Sequence, residues 1–133
     1  MTLVLDACAI IAYLRDEDGA EVVESVLLGS NNCVAHVLNI CEVYYDCLRR
    51  EGEVQADELL EDLTIIGLIT RNDIDTALWK TAAGFKADLR RVSLADCFAM
   101  ALTQRLSAEL MTSDHHEFDT IAAQGICPIK FIR

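Results

Sequence analysis

The chain has 133 residues, 53% of them hydrophobic and 25% charged, with a single proline. This is enough apolar material for one domain with a sizeable core, and it excludes disorder, collagen and low-complexity linkers. The 22 acids against 11 Lys and Arg give a formal net charge of −11, which disfavours coating a duplex by counterion release. An acidic site that holds its substrate through cations is still allowed, as is a basic partner drawn by the excess charge. The longest apolar run, Ala7 to Leu14, has eight residues, well short of the roughly 18–20 a membrane span needs. The opening MTLVLD has no basic n-region and meets an acid at position 6, so it does not read as a signal peptide. The expectation is a cytoplasmic protein with no membrane association. None of the six cysteines forms a C-x-x-C pair, and they read as reduced core residues rather than a disulfide or zinc framework.

In chain order, Thr2 to Leu5 is a short continuous apolar run and reads as a buried strand. Helices follow over Ala7 to Leu14 and Ala20 to Leu28, then a strand over Asn31 to Ala35. Val37 to Arg50 is a helix stopped at Gly52, and Val54 to Ile66 is another stopped at Gly67. Leu68 to Thr70 is a third strand. Asn72 is the expected cap of a helix running to about Leu89, and Ser93 of one running to about Leu106. Glu109 to Thr112 is a strand, His116 to Ala123 a short helix ended by Gly125, and Pro128 to Ile132 a last strand. No linker or repeat divides residues 1–133. Strands alternating with helices predict an α/β domain with a mainly parallel central sheet of 4–5 strands and helices on both faces. Ligands of such sheets bind outside the carboxyl ends of the strands.

Most of the acids lie in polar stretches, such as Asp16 to Asp18 and Asp57 to Asp62. Four do not. Asp6 stands between TLVL and ACAII, Glu42 interrupts VLNIC and VYY, Asp96 sits in SLADCFAMAL, and Asp114 directly follows ELMTS. Each has an ordinary reading as a helix cap or as part of a solvated face. Brought together, they would need a compensating cation, because desolvated carboxylates cannot all stay ionised alone. Oxygen-only ligands select Mg²⁺ or Mn²⁺, and such an ion suits phosphodiester hydrolysis.

These residues resemble the PIN-domain ribonucleases, especially the small VapC-like toxins of toxin–antitoxin pairs. The likeness rests on Val4-Leu5-Asp6-Ala7-Cys8-Ala9-Ile10, on Glu42 in NICEVYY, on Leu94-Ala95-Asp96-Cys97-Phe98-Ala99-Met100-Ala101, and on Met111-Thr112-Ser113-Asp114 followed by Phe118. It spans essentially the whole chain. It implies a PIN-like nuclease domain over residues 1–133, with Asp6, Glu42, Asp96 and Asp114 as the catalytic, metal-binding acids. It also implies Mg²⁺ or Mn²⁺ as cofactor, RNA as substrate, a small antitoxin protein as partner, and a homodimer, for which Val37, Ile40, Tyr44 and Tyr45 supply apolar helix residues. The first motif departs from the family's usual Asp-Thr-Ser, with Ala7 and Cys8 replacing the hydroxyls, and Asp46 stands where a glycine is common.

Two other readings compete. A catalytically weakened PIN-like binding module fits the Asp6-Ala7-Cys8 departure. A receiver-type phosphoacceptor domain would want paired acids after the first strand and a late lysine, and only Asp6 fits. Four basic residues, Lys80, Lys86, Arg90 and Arg91, fall within twelve positions. Lys86 and Arg90, spaced i, i+4, would share one helical face as a track for the RNA backbone, or form surface ion pairs with Asp88 and other acids. His36, His115 and His116 are expected at the rim. Asp119 is expected to turn outward beside an inward Phe118.

Overall fold

The computed structural model describes all 133 residues. Five strands, β1 (Thr2–Leu5), β2 (Asn32–His36), β3 (Ile69–Arg71), β4 (Glu109–Thr112) and β5 (Ile129–Phe131), form one sheet in the order β3-β2-β1-β4-β5. Every neighbouring pair is parallel. The seven helices are α1 (Ala7–Leu14), α2 (Ala20–Leu28), α3 (Val37–Glu51), α4 (Glu53–Ile65), α5 (Thr76–Asp88), α6 (Leu94–Arg105) and α7 (His115–Ala123).

Successive strand residues point to opposite faces, and this alternation divides the interior in two. Leu3 and Leu5 of β1, Cys33 and Ala35 of β2, and Met111 of β4 join one core with residues of α1 to α4. Val4, Val34 and Leu110 face the other core, built with residues of α5, α6 and α7. The strands are therefore continuous apolar runs, as a parallel sheet covered on both faces requires. The chain moves outward from β1 through β2 to β3, then returns to the other side of β1 as β4 and β5. The strand order thus reverses between β1 and β4, the point where open α/β sheets leave a crevice. The Asp6 amide donates to the Met111 carbonyl at 3.1 Å, which holds the end of β1 against β4 there.

The α/β class and the parallel sheet agree with the sequence, and most boundaries move by one or two residues. One cap is corrected. Helix α5 begins after Asp75, whose carboxylate accepts the Leu78 amide, and not after Asn72. Arg71 pairs with Asp73 at 2.8 Å, and Arg105 with Asp73 at 3.1 Å and with Asp75 at 2.6 Å. This network holds residues 72–75 out of the helix, which starts one turn late. A second correction concerns Lys86 and Arg90. Helix α5 ends at Asp88, so Arg90 lies in the following loop and the two do not share a helical face. The apolar residues of α3 also divide differently from expectation. Ile40 is buried in the core, Tyr44 packs against it, and Tyr45 is exposed.

Candidate metal centre

The crevice is lined by first-turn and capping residues of three helices. Asp6 caps α1: its Oδ1 accepts the Ala9 amide at 2.9 Å. The side chain is completely buried, and Oδ2 has no hydrogen-bond partner. Asp96 lies in the first turn of α6, where the Ser93 hydroxyl accepts its amide at 3.1 Å. Asp114 caps α7 by accepting the Glu117 amide at 3.0 Å, and its own amide donates to the Thr112 hydroxyl at 3.0 Å. Glu117 then projects from the first turn of α7 with a buried, unpartnered Oε2. Carboxylate oxygens of Asp96, Asp114 and Glu117 lie within 4.8 Å of one another.

Of the four acids singled out in the sequence, only Asp96 and Asp114 belong to this triad; Asp6 and Glu42 stand outside it, near enough for their charges to act on it. Burial raises the Asp6 carboxyl above the ordinary range and Asp114 and Glu42 add to the rise, while the Thr112 hydroxyl and the Ala9 amide oppose it. Asp96 is raised by burial first, then by the Glu117 side chain and the charge of Asp6. Glu42, half-buried on α3, is raised by burial and then by Glu117. The half-buried Cys8 thiol lies within reach of the same charges. Burial pushes it up, and so do Asp6, Asp96, Asp114 and Glu42, all four of the acids singled out in the sequence.

Two contributors escaped the sequence reading. Glu117 sits in the polar run HHEFD, where an acid draws no notice; the available signal was its i+3 spacing from Asp114, just before the buried Phe118. Asn39 is a fully buried amide on α3. Its Oδ1 accepts the Ala7 amide at 3.2 Å and its Nδ2 donates to the Ala95 carbonyl at 3.1 Å. One side chain thereby ties the residue after Asp6 to the residue before Asp96, where Ala7 and Cys8 offer no hydroxyl.

Two of the three histidines are engaged elsewhere. His36 caps α3 by accepting the Leu38 amide at 3.1 Å, and its Nε2 meets the Asp73 carbonyl at 2.8 Å. His115 contacts Asp119 at 2.7 Å and the Arg133 carbonyl at 2.7 Å, and stacks on Phe131. Asp119 accordingly faces outward, while His116 is exposed. Lys86 is not free either. Its ammonium donates to the Arg90 carbonyl at 3.0 Å and to the Val92 carbonyl at 2.7 Å. No Lys or Arg makes an ion pair with Asp6, Glu42, Asp96, Asp114 or Glu117.

The triad's donors are all carboxylate oxygens; its buried Glu117 Oε2 lacks any partner, and so does Oδ2 of the neighbouring Asp6. Both features fit a hard divalent cation, because a buried polar atom without a partner is costly and rare.

A family model described as "PIN domain" matches residues 3–124. No curated protein sequence matches the chain. Among solved structures, VapBC-1 from nontypeable Haemophilus influenzae is similar with a TM-score of 0.76 and 19% identity, over 99% of this chain and 98% of that one. VapBC2 from Rickettsia felis, bound to a DNA fragment of its promoter, gives 0.74 and 15% identity, over 98% of both chains. VapC20 from Mycobacterium tuberculosis, a toxin that cleaves the sarcin-ricin loop, gives 0.70 and 11% identity, over 89% of this chain and 94% of that one. At these identities the likeness is one of fold. With the family model spanning nearly the whole length, the chain belongs to the PIN-domain family.

Proposed function

We propose that this protein is a divalent-metal-dependent endoribonuclease that hydrolyses RNA phosphodiesters, acting as the toxin of a cytoplasmic toxin–antitoxin module. Its partners are a small antitoxin protein and a second copy of the chain. The observation that carries this reading is the pair of buried, unpartnered oxygens, Asp6 Oδ2 and Glu117 Oε2, inside an all-carboxylate crevice at the strand-order reversal. Asp6, Asp96, Asp114 and Glu117 would hold the ion, with Glu42 at the edge. A bound Mg²⁺ or Mn²⁺ supplies charge neutralisation at the phosphodiester and acidifies water for attack on phosphorus. The chain's own part is to fix the acids. Helix caps orient Asp6 and Asp114, Ser93 fixes the start of α6, and Asn39 sets the spacing between α1 and α6. Arg90 contributes to holding the RNA, and Lys86 acts by fixing the loop that carries it.

The similarity to VapBC proteins supports the toxin reading, and the net charge of −11 favours a basic partner. The test is cleavage of a fluorescent RNA by the purified chain, with Mg²⁺ or Mn²⁺ and with EDTA. Metal-dependent cleavage is expected, and cleavage insensitive to EDTA would overturn the proposal. The second reading, a PIN-like module that binds metal or partner without turnover, is favoured by Ala7 and Cys8 in place of hydroxyl residues. It predicts Mn²⁺ binding in the same preparation with no product.

A further inference from the structure

Beside the acidic crevice lies a second cavity, of about 490 Å³, between the α5–α6 loop and α7. Its volume falls in the range of small-molecule sites, roughly 300–1,000 Å³. Glu117 belongs both to its wall and to the carboxylate triad, so the two spaces adjoin. The partly buried Leu89 supplies the accessible apolar surface, with Val92 and Ile121 buried behind it, and the exposed Asp88, Arg90, Arg91 and His116 stand around it. The backbone of this wall is held in place. The Lys86 ammonium binds the carbonyls of Arg90 and Val92, which leaves both arginine side chains free and the loop that carries them fixed. Neither arginine makes an ion pair with the chain's 22 acids. Two unpaired guanidinium groups on a chain of net charge −11 are a local exception to its field.

We infer that this cavity is a nucleotide subsite of the proposed ribonuclease. It takes the nucleotide flanking the scissile phosphodiester, with the base against Leu89 and the phosphate on Arg90 and Arg91. The combination suits one unpaired nucleotide, because an apolar surface receives the flat face of a base while guanidinium forks match phosphate oxygens. A paired base would present only its edge. The inference rests on the ribonuclease reading and names how the RNA is held there, and it assigns the role to Arg91 along with Arg90.

The test uses the full chain in EDTA, so that binding is read without turnover. Adenosine and uridine 5′-monophosphates are titrated while the methyl signals of Leu89, and of Val92 and Ile121 behind it, are followed by NMR. Saturable shifts, largest at Leu89, are expected, and replacing both arginines (Arg90→Ala with Arg91→Ala) should weaken binding at least about tenfold, the loss of a charge-assisted contact. Binding of a single-stranded RNA oligonucleotide is then measured against salt. Each arginine removed should reduce the slope of log K against log salt by about 0.7, and Arg91→Lys should restore the slope. Nucleotide shifts that spare Leu89, or an unchanged slope in the double variant, would overturn the subsite. The two proposals fail separately. A chain that binds nucleotides here but cleaves no RNA keeps the subsite, and one that cleaves RNA with KM unchanged in the double variant loses it.

Discussion

Asp6 is wholly buried, with one carboxylate oxygen on the Ala9 amide and the other without a partner, facing the charges of Asp114 and Glu42. Its folded pKa is raised, so folding takes up a proton. The sign of the linkage follows. Destabilisation by this group begins as pH climbs past the ordinary carboxylate value near ~4 and is complete once the folded carboxyl has ionised. Asp6→Asn keeps the volume and the cap, and its amide hydrogens can donate to the neighbouring carboxylates. The metal-free variant should be more stable than the parent at pH 8 by about 1–3 kcal/mol and indistinguishable from it below pH ~4, as read by urea unfolding at both values. Cleavage should be lost in the same variant. A variant less stable at pH 8 would return Asp6 to a purely capping role. Asn39 shows the opposite economy, since a neutral amide meets both of its partners and carries no charge into the crevice. That neutrality is also why it was illegible in VLNIC: a single Asn in an apolar helix carries no spacing signal, and only the fold reveals what lies at each end of it.

Helix starts place most of the site, and they set the ranking of the two late acids. Asp114 caps α7 and lies within 4.8 Å of Asp96 and Glu117, while Asp119, a turn further on, is exposed and paired with His115. Asp114→Asn should therefore reduce cleavage by more than the roughly 10–100-fold typical of losing a group that supports a metal ligand. Asp119→Asn should stay within a few-fold of the parent, both measured on folded protein at saturating Mn²⁺. The reverse ranking would remove Asp114 from the site. Caps were also the most legible feature of the sequence. A polar residue just after an apolar strand, as at Asp6 and Asp114, or just before an apolar helix, as at Ser93, has few other roles. The start of α5 was misread because Asn72 is as good a cap by type as Asp75. The choice is made by Arg105, thirty residues later in the chain, which pairs with Asp73 and Asp75. Glu117 was hidden for a related reason. In a polar first turn the inward side chain is set by where α7 packs, and that is a property of the sheet.

Across the whole molecule, the acids of the crevice come from both layers that cover the sheet. Asp6 and Glu42 belong to α1 and α3, packed on one face, while Asp96, Asp114 and Glu117 belong to α6 and α7 on the other. In the metal-free chain these carboxylates repel one another across the end of the sheet, and the net charge of −11 adds to the strain. A divalent ion bound to acids of both layers would join them, and an ion that binds only the folded state stabilises it by mass action. At a hundred times its dissociation constant the gain is about 2.7 kcal/mol, or a rise in Tm on the order of 10 °C for a domain of this size. Mn²⁺ should accordingly raise Tm by much more than NaCl of equal ionic strength, which only screens the surface. The increment should grow from pH 6 to pH 8, because Asp6, Asp96 and Glu42 hold protons more tightly than ordinary carboxyls and the ion must displace them. Asp96→Asn and Glu117→Gln should keep the response to NaCl and lose most of the response to Mn²⁺, as followed by calorimetry. An equal Mn²⁺ increment in parent and variants would mean that the ion acts on the diffuse surface charge, and that the crevice does not hold it.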